Sequence, residues 1–439
     1  MQHEQSKMHT LEQLQSGELR GIKRLQMACG FTHFPEEIYT LADTLEILDL
    51  SGNAISTLPA EISRLKNMKV IFFGSNNFTE FPKELAACEK LSMIGFKSNK
   101  ITHIPADAFP KHLRWLILTD NQIKEIPASI GSCIKLQKCA LAGNQLQTLP
   151  VEMKNCVNLE LLRISANKIT KLPEWLLTLP RLSWIAYSGN PCSYNASLQT
   201  EMSEMDWSEF EIQQLLGEGA SGFISKAQWP SKQKEVAVKV FKGAVTSDGW
   251  PEDEMQTCLA AGSHENLVQV IGKVNRHPEK KQALVFELIP SAYKNLSGPP
   301  SLDTCTRDVL PAGSSFSLQE ILKIATGVAS LCLHFHERGI MHGDLYAHNI
   351  LVNADAHSLL GDFGAATFYD VNHEQAKANE RVEVRAYGCL LEDMLNHLQD
   401  ADFQKAANLF ALKEECMQEN PSCRPLFSDI FKRLRTFAS

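Results

Sequence analysis

Apolar residues return at a fixed interval along the first half of the chain. Leu45, Met68, Leu91, Leu113, Leu136, Leu159 and Leu182 are separated by steps of 23 residues, with a single step of 22. Each opens the same phrase: Leu45-x-x-Leu48-x-Leu50-x-x-Asn53-x-Ile55-x-x-Leu58-Pro59 returns down to Leu159-x-x-Leu162-x-Ile164-x-x-Asn167-x-Ile169-x-x-Leu172-Pro173, and the last copy stops at Asn190-Pro191. Alternation over a few residues predicts a short strand with its leucines inward, and the Asn side chain can bond the turning backbone of the adjoining coil. Residues 11–35 read as a degenerate first coil ending at Phe34-Pro35, the polar cap that an open stack of coils requires.

The second half has a different rhythm. Two β-type runs, around Leu216 to Ile224 and Val236 to Lys239, flank a polar turn at Pro230 to Lys234, and a helical run covers Pro251 to Ala261. Ala283 to Ile289 reads as a strand running into a hinge. Ser291 to Ser315, rich in Pro, Gly and Ser, reads as an irregular insert. Helical spacing resumes at Leu318-x-x-Ile321-Leu322-x-x-Ala325 and runs to His336.

Composition narrows the function classes. At 439 residues and 44% hydrophobic, the chain is long enough for two or three domains with cores of their own. Residues 1–200 hold 21 Lys and Arg against 18 Asp and Glu, a charge of +3, and the remainder holds 22 against 33, a charge of −11. Neither half carries the basic footprint of a nucleic-acid binder. Residues 1–10 lack the apolar core of a secretory signal, and no run approaches the roughly 18 apolar residues of a membrane span. The expectation is a cytoplasmic protein whose 12 cysteines stay reduced. Cys88, Cys133 and Cys156 each precede a repeat-opening residue by three, which points to packing rather than metal binding.

Residues alternating with the inward leucines should line the concave face of the stack. They include Val70, Phe72, Met93, Trp115, Ile117 and Trp184, an apolar column expected to capture a protein partner or substrate.

Candidate chemistry gathers at His342-Gly-Asp344-Leu-Tyr-Ala-His-Asn349, with Asp362-Phe-Gly364 thirteen residues beyond the Asn. Asp344 would sit beside an attacking hydroxyl, while Asn349 and Asp362 offer hard oxygens to Mg²⁺ on ATP phosphates. Upstream, Gly217-Glu-Gly219-Ala-Ser-Gly222 lies between the two β runs. There it can fold over phosphates without Cβ obstruction, while Lys239 reaches the same phosphates from the next strand. A Walker-type Gly-Lys-Ser/Thr does not follow, which argues against a P-loop enzyme. Glu254, on the helical run, is the best placed acid to hold Lys239.

With these pieces in order, residues from about Trp207 to the C-terminus resemble the eukaryotic-type protein kinases, and the block from Cys416 through Asn420-Pro421 to Arg424-Pro425 is most similar to their tyrosine-kinase-like branch. The first half resembles the leucine-rich-repeat family. The implied fold is an α/β multidomain chain: a leucine-rich-repeat solenoid at 1–195 (about seven regular repeats plus the degenerate coil), a linker at 196–206, and a bilobal α+β protein kinase domain at 207–439. The implied activity is transfer of the γ-phosphate of ATP to protein hydroxyls, serine or threonine rather than tyrosine, with Mg²⁺ or alternatively Mn²⁺. Asp344, Lys239 and Asn349 would be catalytic, and Asn349 and Asp362 would bind the metal. Gly217, Gly219, Gly222, Ile224, Ala237, Lys239, Glu254, Glu287, Ile289 and Leu351 would surround the nucleotide.

Departures from the family pattern shape the alternatives. Gly343 stands where many kinases carry Arg, Tyr346 where serine/threonine kinases carry Lys, and His348 where some tyrosine kinases carry Arg. Glu383 replaces the family's Asp, and Ala378-Asn379-Glu380 compresses its Ala-Pro-Glu, with Glu380 the expected partner of Arg424. A non-catalytic repeat and pseudokinase scaffold is the alternative. An aminoglycoside-kinase-type phosphotransferase, which shares His-Gly-Asp, is the more distant one.

Overall fold

The computed structural model describes residues 8–194 and 203–437, so residues 196–202 of the expected linker lie outside the described residues. The chain divides into two compact units, one comprising residues 1–163 and 167–176 and the other residues 164–166 and 177–439.

In the first unit, helix α1 (Leu11–Gln15) begins at a capping box. The Thr10 hydroxyl accepts the Gln13 N–H, and the Gln13 side chain accepts the Thr10 N–H. Strand β1 (Arg24–Gln26) follows, so the degenerate coil carries a strand of its own, paired in parallel with β2 (Ile47–Asp49). The regular repeats continue with β3 (Val70–Phe72), β4 (Met93–Gly95), β5 (Trp115–Ile117), β6 (Lys138–Ala140) and β7 (Leu161–Arg163). Adjacent strands are parallel and in register, Ile47 opposite Val70, then Met93, Trp115, Lys138 and Leu161. Opposite the strands run single 3₁₀ turns, several of them entered from an extended proline such as Pro59, Pro127 or Pro150.

The recurring Asn does the expected work. Asn76 accepts the Ile55 N–H at 2.9 Å and donates to the Leu50 carbonyl at 2.9 Å. Asn99 repeats this with Phe78 and Phe73, and Asn144 with Ile123 and Leu118. Each buried amide satisfies backbone groups that the turn would otherwise strand. Cys88, Cys133 and Cys156 are buried. Burial pushes their thiols up, to about 11 for Cys88 and Cys133 and about 12 for Cys156, which suits packing and not metal binding.

The apolar column is not open along its length. Val70 and Met93 are only 5% and 4% exposed, while Phe72, Trp115 and Ile117 are half-buried. The cause is local. Gly95 leaves room for the Phe72 ring, which a Cβ there would meet at 2.6 Å, and Phe72 in turn meets the Trp115 ring edge-on at 6.5 Å.

The second unit begins with the last repeat coil, which carries β8 (Trp184–Ala186). Trp184, expected to line an open partner face, is 1% exposed. Its ring lies flat on Tyr346, with centroids 4.2 Å apart and planes 7° apart, and its Nε1–H donates to the Leu345 carbonyl at 3.0 Å. Both its apolar face and its one donor are satisfied inside the unit, so it is removed from the partner surface.

A six-stranded sheet follows, built from β9 (Glu204–Asp206), β10 (Glu211–Glu218), β11 (Gly222–Trp229), β12 (Lys234–Phe241), β13 (Val270–Asn275) and β14 (Ala283–Glu287) in the order β10-β11-β12-β14-β13-β9. All its pairings are antiparallel except β13 with β9. Residues 204–206, read from sequence as linker, thus form an edge strand. Val236, Val238, Ala227, Val274, Ala283 and Val285 pack beneath it with Phe210 and Trp229. Helix α2 (Pro251–Ala260) lies between β12 and β13 in the chain, and the stretch read as an irregular insert carries a short strand, β15 (Lys294–Asn295).

Helix α3 (Leu318–Glu337) starts at a Ser317–Glu320 capping box and buries Ile321, Ile324, Ala325, Val328, Leu331, Cys332 and Phe335, the helical stripe seen in the sequence. Beyond it come β16 (Ile340–Met341), β17 (Ile350–Val352), β18 (Ser358–Leu360) and β19 (Thr367–Phe368), then α4 (Ala376–Leu395), α5 (Ala407–Cys416) and α6 (Phe427–Phe437). Among the described residues, no helix is long and apolar enough to cross a membrane.

The expected Arg424–Glu380 pair does not form. The buried Arg424 guanidinium donates to the carbonyls of Gln418, Arg381 and Pro180, and the Glu380 carboxylate accepts the Phe427 N–H at 2.7 Å. Three carbonyls satisfy the planar fork without a second charge.

Candidate active site

The loop between β10 and β11 closes through a hydrogen bond from the Gly219 N–H to the Gly222 carbonyl at 2.9 Å. Its glycines have different reasons. A Cβ on Gly222 would meet the Val240 carbonyl at 2.6 Å, whereas Gly217 and Gly219 have nothing within 4 Å and leave the approach over the loop clear. Beneath it, Lys239 stands opposite Ile224 in the β11–β12 register, and Ala237 opposite Phe286.

Lys239, half-buried, and Glu254, buried, form an ion pair between β12 and α2. Burial pulls the Lys239 ammonium toward neutrality, but the carboxylates of Glu254 and Asp362 outweigh it and leave its pKa above the ordinary value. A charged lysine is thereby held by its ion pair with Glu254.

Ile224, Ile289 and Leu351 are half-buried and Ala237 is buried. The Glu287 N–H goes to the Gln269 carbonyl and its carboxylate to Lys234, which narrows its expected hinge role to the carbonyl.

The loop at 342–349 is wired through His342. The Asp344 N–H donates to His342 Nδ1 at 3.3 Å, which makes Nδ1 an acceptor and puts the ring proton on Nε2, 3.0 Å from the Gly361 carbonyl. One neutral imidazole therefore links the residue before Asp362 to the backbone of Asp344. Phe363 packs beside it at 5.5 Å and against Phe335 at 5.5 Å. Below, the buried Glu383 carboxylate accepts the N–H groups of Gly343 at 2.7 Å and His342 at 3.3 Å, with His336 Nε2 2.9 Å away. Despite full burial, these partners hold its pKa below the usual carboxylate value.

The Asn349 amide donates to both the backbone carbonyl and Oδ2 of Asp344 at 2.9 Å, and this leaves its Oδ1 as the group for a cation. Asp362 sits at φ 56°, and its Oδ1 accepts the Gly364 N–H at 3.2 Å. No cluster of three or more His, Cys, Asp or Glu suited to a metal occurs among the described residues. One carboxylate and one amide oxygen, completed by phosphate oxygens and water, nonetheless make the donor set that Mg²⁺ prefers.

Two contacts on this loop were not read from the sequence. Asp308, from the irregular insert, accepts both the His348 backbone N–H at 2.9 Å and the His348 Nδ1–H at 2.7 Å. The adjacent Arg307 is anchored on α4 by Glu392, Asp393 and the Cys389 carbonyl. The second is Trp184, on Tyr346. Strand alternation gave the face Trp184 takes and composition marked the insert holding Asp308, but neither signal shows a contact made across a long sequence separation.

Comparison with known proteins agrees with this architecture. Residues 210–401 match the protein tyrosine and serine/threonine kinase family, and residues 44–65 match the leucine-rich repeat. The cysteine-rich receptor-like protein kinase 26 of Arabidopsis thaliana is 28% identical over 216 residues, 47% of this chain and 30% of the relative. The L-type lectin-domain containing receptor kinase SIT2 of Oryza sativa subsp. japonica is 33% identical over 166 residues, 37% and 23% of the two chains. A protein of Dictyostelium discoideum named as a Probable serine/threonine-protein kinase is 28% identical over 202 residues, 45% and 11%. The chain thus spans less than a third of the length of these relatives. A leucine-rich-repeat protein of Leptospira interrogans overlaps 42% of this chain and 53% of its own at 24% identity and a TM-score of 0.37. Residues 44–65 and 210–401 thus carry the likeness to a leucine-rich repeat and to a protein kinase domain.

Proposed function

We propose that the chain is an active protein kinase that transfers the γ-phosphate of ATP to serine or threonine hydroxyls, with its repeats recruiting the protein partner or substrate. The observation that carries this reading is the hydrogen bond of Asn349 to the Asp344 carboxylate, made in the same unit that holds Lys239 against Glu254. Asp344 would orient the acceptor hydroxyl and take its proton. Lys239 and the glycine loop would hold the phosphates, with Ile224, Ala237 and Leu351 around the adenine and the hinge at Glu287 to Ile289 along its edge. Asn349 and Asp362 would hold Mg²⁺, which when bound neutralises charge on the phosphates. The serine/threonine assignment rests on the likeness to the Dictyostelium discoideum protein named as a Probable serine/threonine-protein kinase. Phe72, Trp115 and Ile117 are the residues left for partner capture.

The test is Mg-ATP labelled at the γ-position, with wild type, Asp344→Ala and Asp362→Asn compared for autophosphorylation and for transfer to a generic protein, followed by phosphoamino-acid analysis. Label in the wild type alone, on serine or threonine, is the expected result. Label in all three proteins or in none defeats the reading, and wild-type ATP binding without transfer would favour the scaffold.

A further inference from the structure

The stretch between Gly364 and α4 is short, and Gly343 cannot carry the arginine that would clamp a phosphorylated segment. A Cβ at Gly343 would meet the Ala365 carbonyl at 2.8 Å and the Ile185 carbonyl at 2.5 Å, and its φ is +71°. The second of those carbonyls belongs to β8. The last repeat coil therefore lies where a clamp would act.

That coil grips the kinase machinery at several independent points within its unit. Trp184 stacks on Tyr346 and bonds the Leu345 carbonyl, the two residues that follow Asp344. Tyr187 donates its N–H to the Thr367 hydroxyl at 3.4 Å and its phenol O–H to Asn379 Oδ1 at 3.0 Å. It thus ties β19 to the first turns of α4. Ser183 accepts from Arg385 at 2.6 Å, and the Pro180 carbonyl accepts from Arg424 at 2.7 Å. The His348 ring lies 5.0 Å from Tyr346, tilted by 35°, and is bonded to Asp308. Ring contacts thus run from Trp184 on the coil, through Tyr346, to His348 and the insert.

We propose that Trp184 and Tyr187 are positioning residues for phosphoryl transfer, and that the coil at 177–190 holds the Asp344 loop and the segment after Gly364 in working geometry without phosphorylation. This rests on the kinase reading above. The contacts are to backbone and rings adjoining Asp344, Asn349 and Thr367 rather than to groups expected to meet ATP, so their loss should act on the chemical step and not on nucleotide capture. A displacement of about 1 Å in a reacting group can lower a rate about 10²-fold.

The experiment uses the full chain and compares wild type with Trp184→Ala, Trp184→Phe and Tyr187→Phe for kcat, KM for ATP and thermal melting. Trp184→Ala is expected to lower kcat by about 10²-fold while KM for ATP moves less than about threefold. Trp184→Phe keeps the stack without the N–H bond and should recover part of the loss. Tyr187→Phe removes only the bond to Asn379 and should lower kcat several-fold at unchanged melting temperature. Should Trp184→Ala melt below the assay temperature, the two phenylalanine variants decide. Wild-type kcat in both of them overturns the proposal, as does a rise in kcat, which would make the coil a cover over the acceptor site. A wild type without transfer brings down the kinase reading and this proposal with it, whereas an active wild type with unaffected variants brings down this proposal alone.

Discussion

Asn349 donates its amide hydrogens to the Asp344 backbone carbonyl and to the Asp344 carboxylate, each at 2.9 Å. One side chain thus fixes the proposed base and keeps its oxygen for a cation. Asn349→Ala removes both roles, and kcat for transfer is expected to fall by about 10²–10⁴-fold, the range associated with positioned proton transfer. Melting temperature should stay within a few degrees, because the loop backbone is held separately by Glu383. Steady-state kinetics with calorimetry checks this, and unchanged kcat would remove Asn349 from the site.

Glu383 is buried and collects two backbone N–H groups and His336. Glu383→Ala strands those donors, and a loss of about 3–5 kcal/mol in the stability of the second unit is expected. Glu383→Gln, which keeps an acceptor oxygen, should lose less. Denaturant unfolding followed by tryptophan fluorescence measures the order; equal losses for the two variants would mean that the contact matters only through packing.

Much of this site was legible because its parts are local. His342, Asp344, Asn349 and Asp362 lie within 21 residues, so one short stretch of sequence names them together. The repeat was legible for a different reason, since each coil restates the same inward and outward positions. Trp184 was not, because strand alternation tells which face a side chain takes but not what lies on that face. Arg424 illustrates the same gap: sequence supplies a buried cation and a nearby acid, yet three carbonyls satisfy the fork first. Asp308 was hidden in a stretch whose Pro, Gly and Ser content signals irregularity and nothing more. The parallel edge strand at Glu204–Asp206 is too short for any periodicity to appear.

The glycines of the loop between β10 and β11 should separate by cause. Gly222→Ala places a Cβ 2.6 Å from the Val240 carbonyl, a backbone atom that cannot swing away, so stability should fall by about 1–3 kcal/mol. Gly217→Ala meets nothing within 4 Å, so the melting temperature should hold while KM for ATP rises as the methyl crowds the approach to the phosphates. Parallel melting and kinetic titrations distinguish the two. A Gly217→Ala variant with both parameters unchanged would mean that this glycine does not border the nucleotide.

Asp253 gives a pH signature away from the chemistry. It lies in the first turn of α2, its Oδ2 is buried without a hydrogen-bond partner, and burial, with Glu252 nearby, raises its pKa to about 6 from an ordinary 3.8. Because the folded carboxyl binds its proton more tightly than the unfolded one, the folded state carries more protons between about pH 4 and 6. Stability is therefore fully supported below that window, declines as pH rises through it, and stays lowered above it. Asp253→Asn removes the charge that burial penalises, so its melting temperature should exceed that of the wild type at pH 8, with the gap narrowing as pH falls toward 4. Melting curves across pH 4 to 8 measure this, and a variant that melts below the wild type at pH 8 would show that the helix N-terminus stabilises the charged carboxylate by more than burial penalises it.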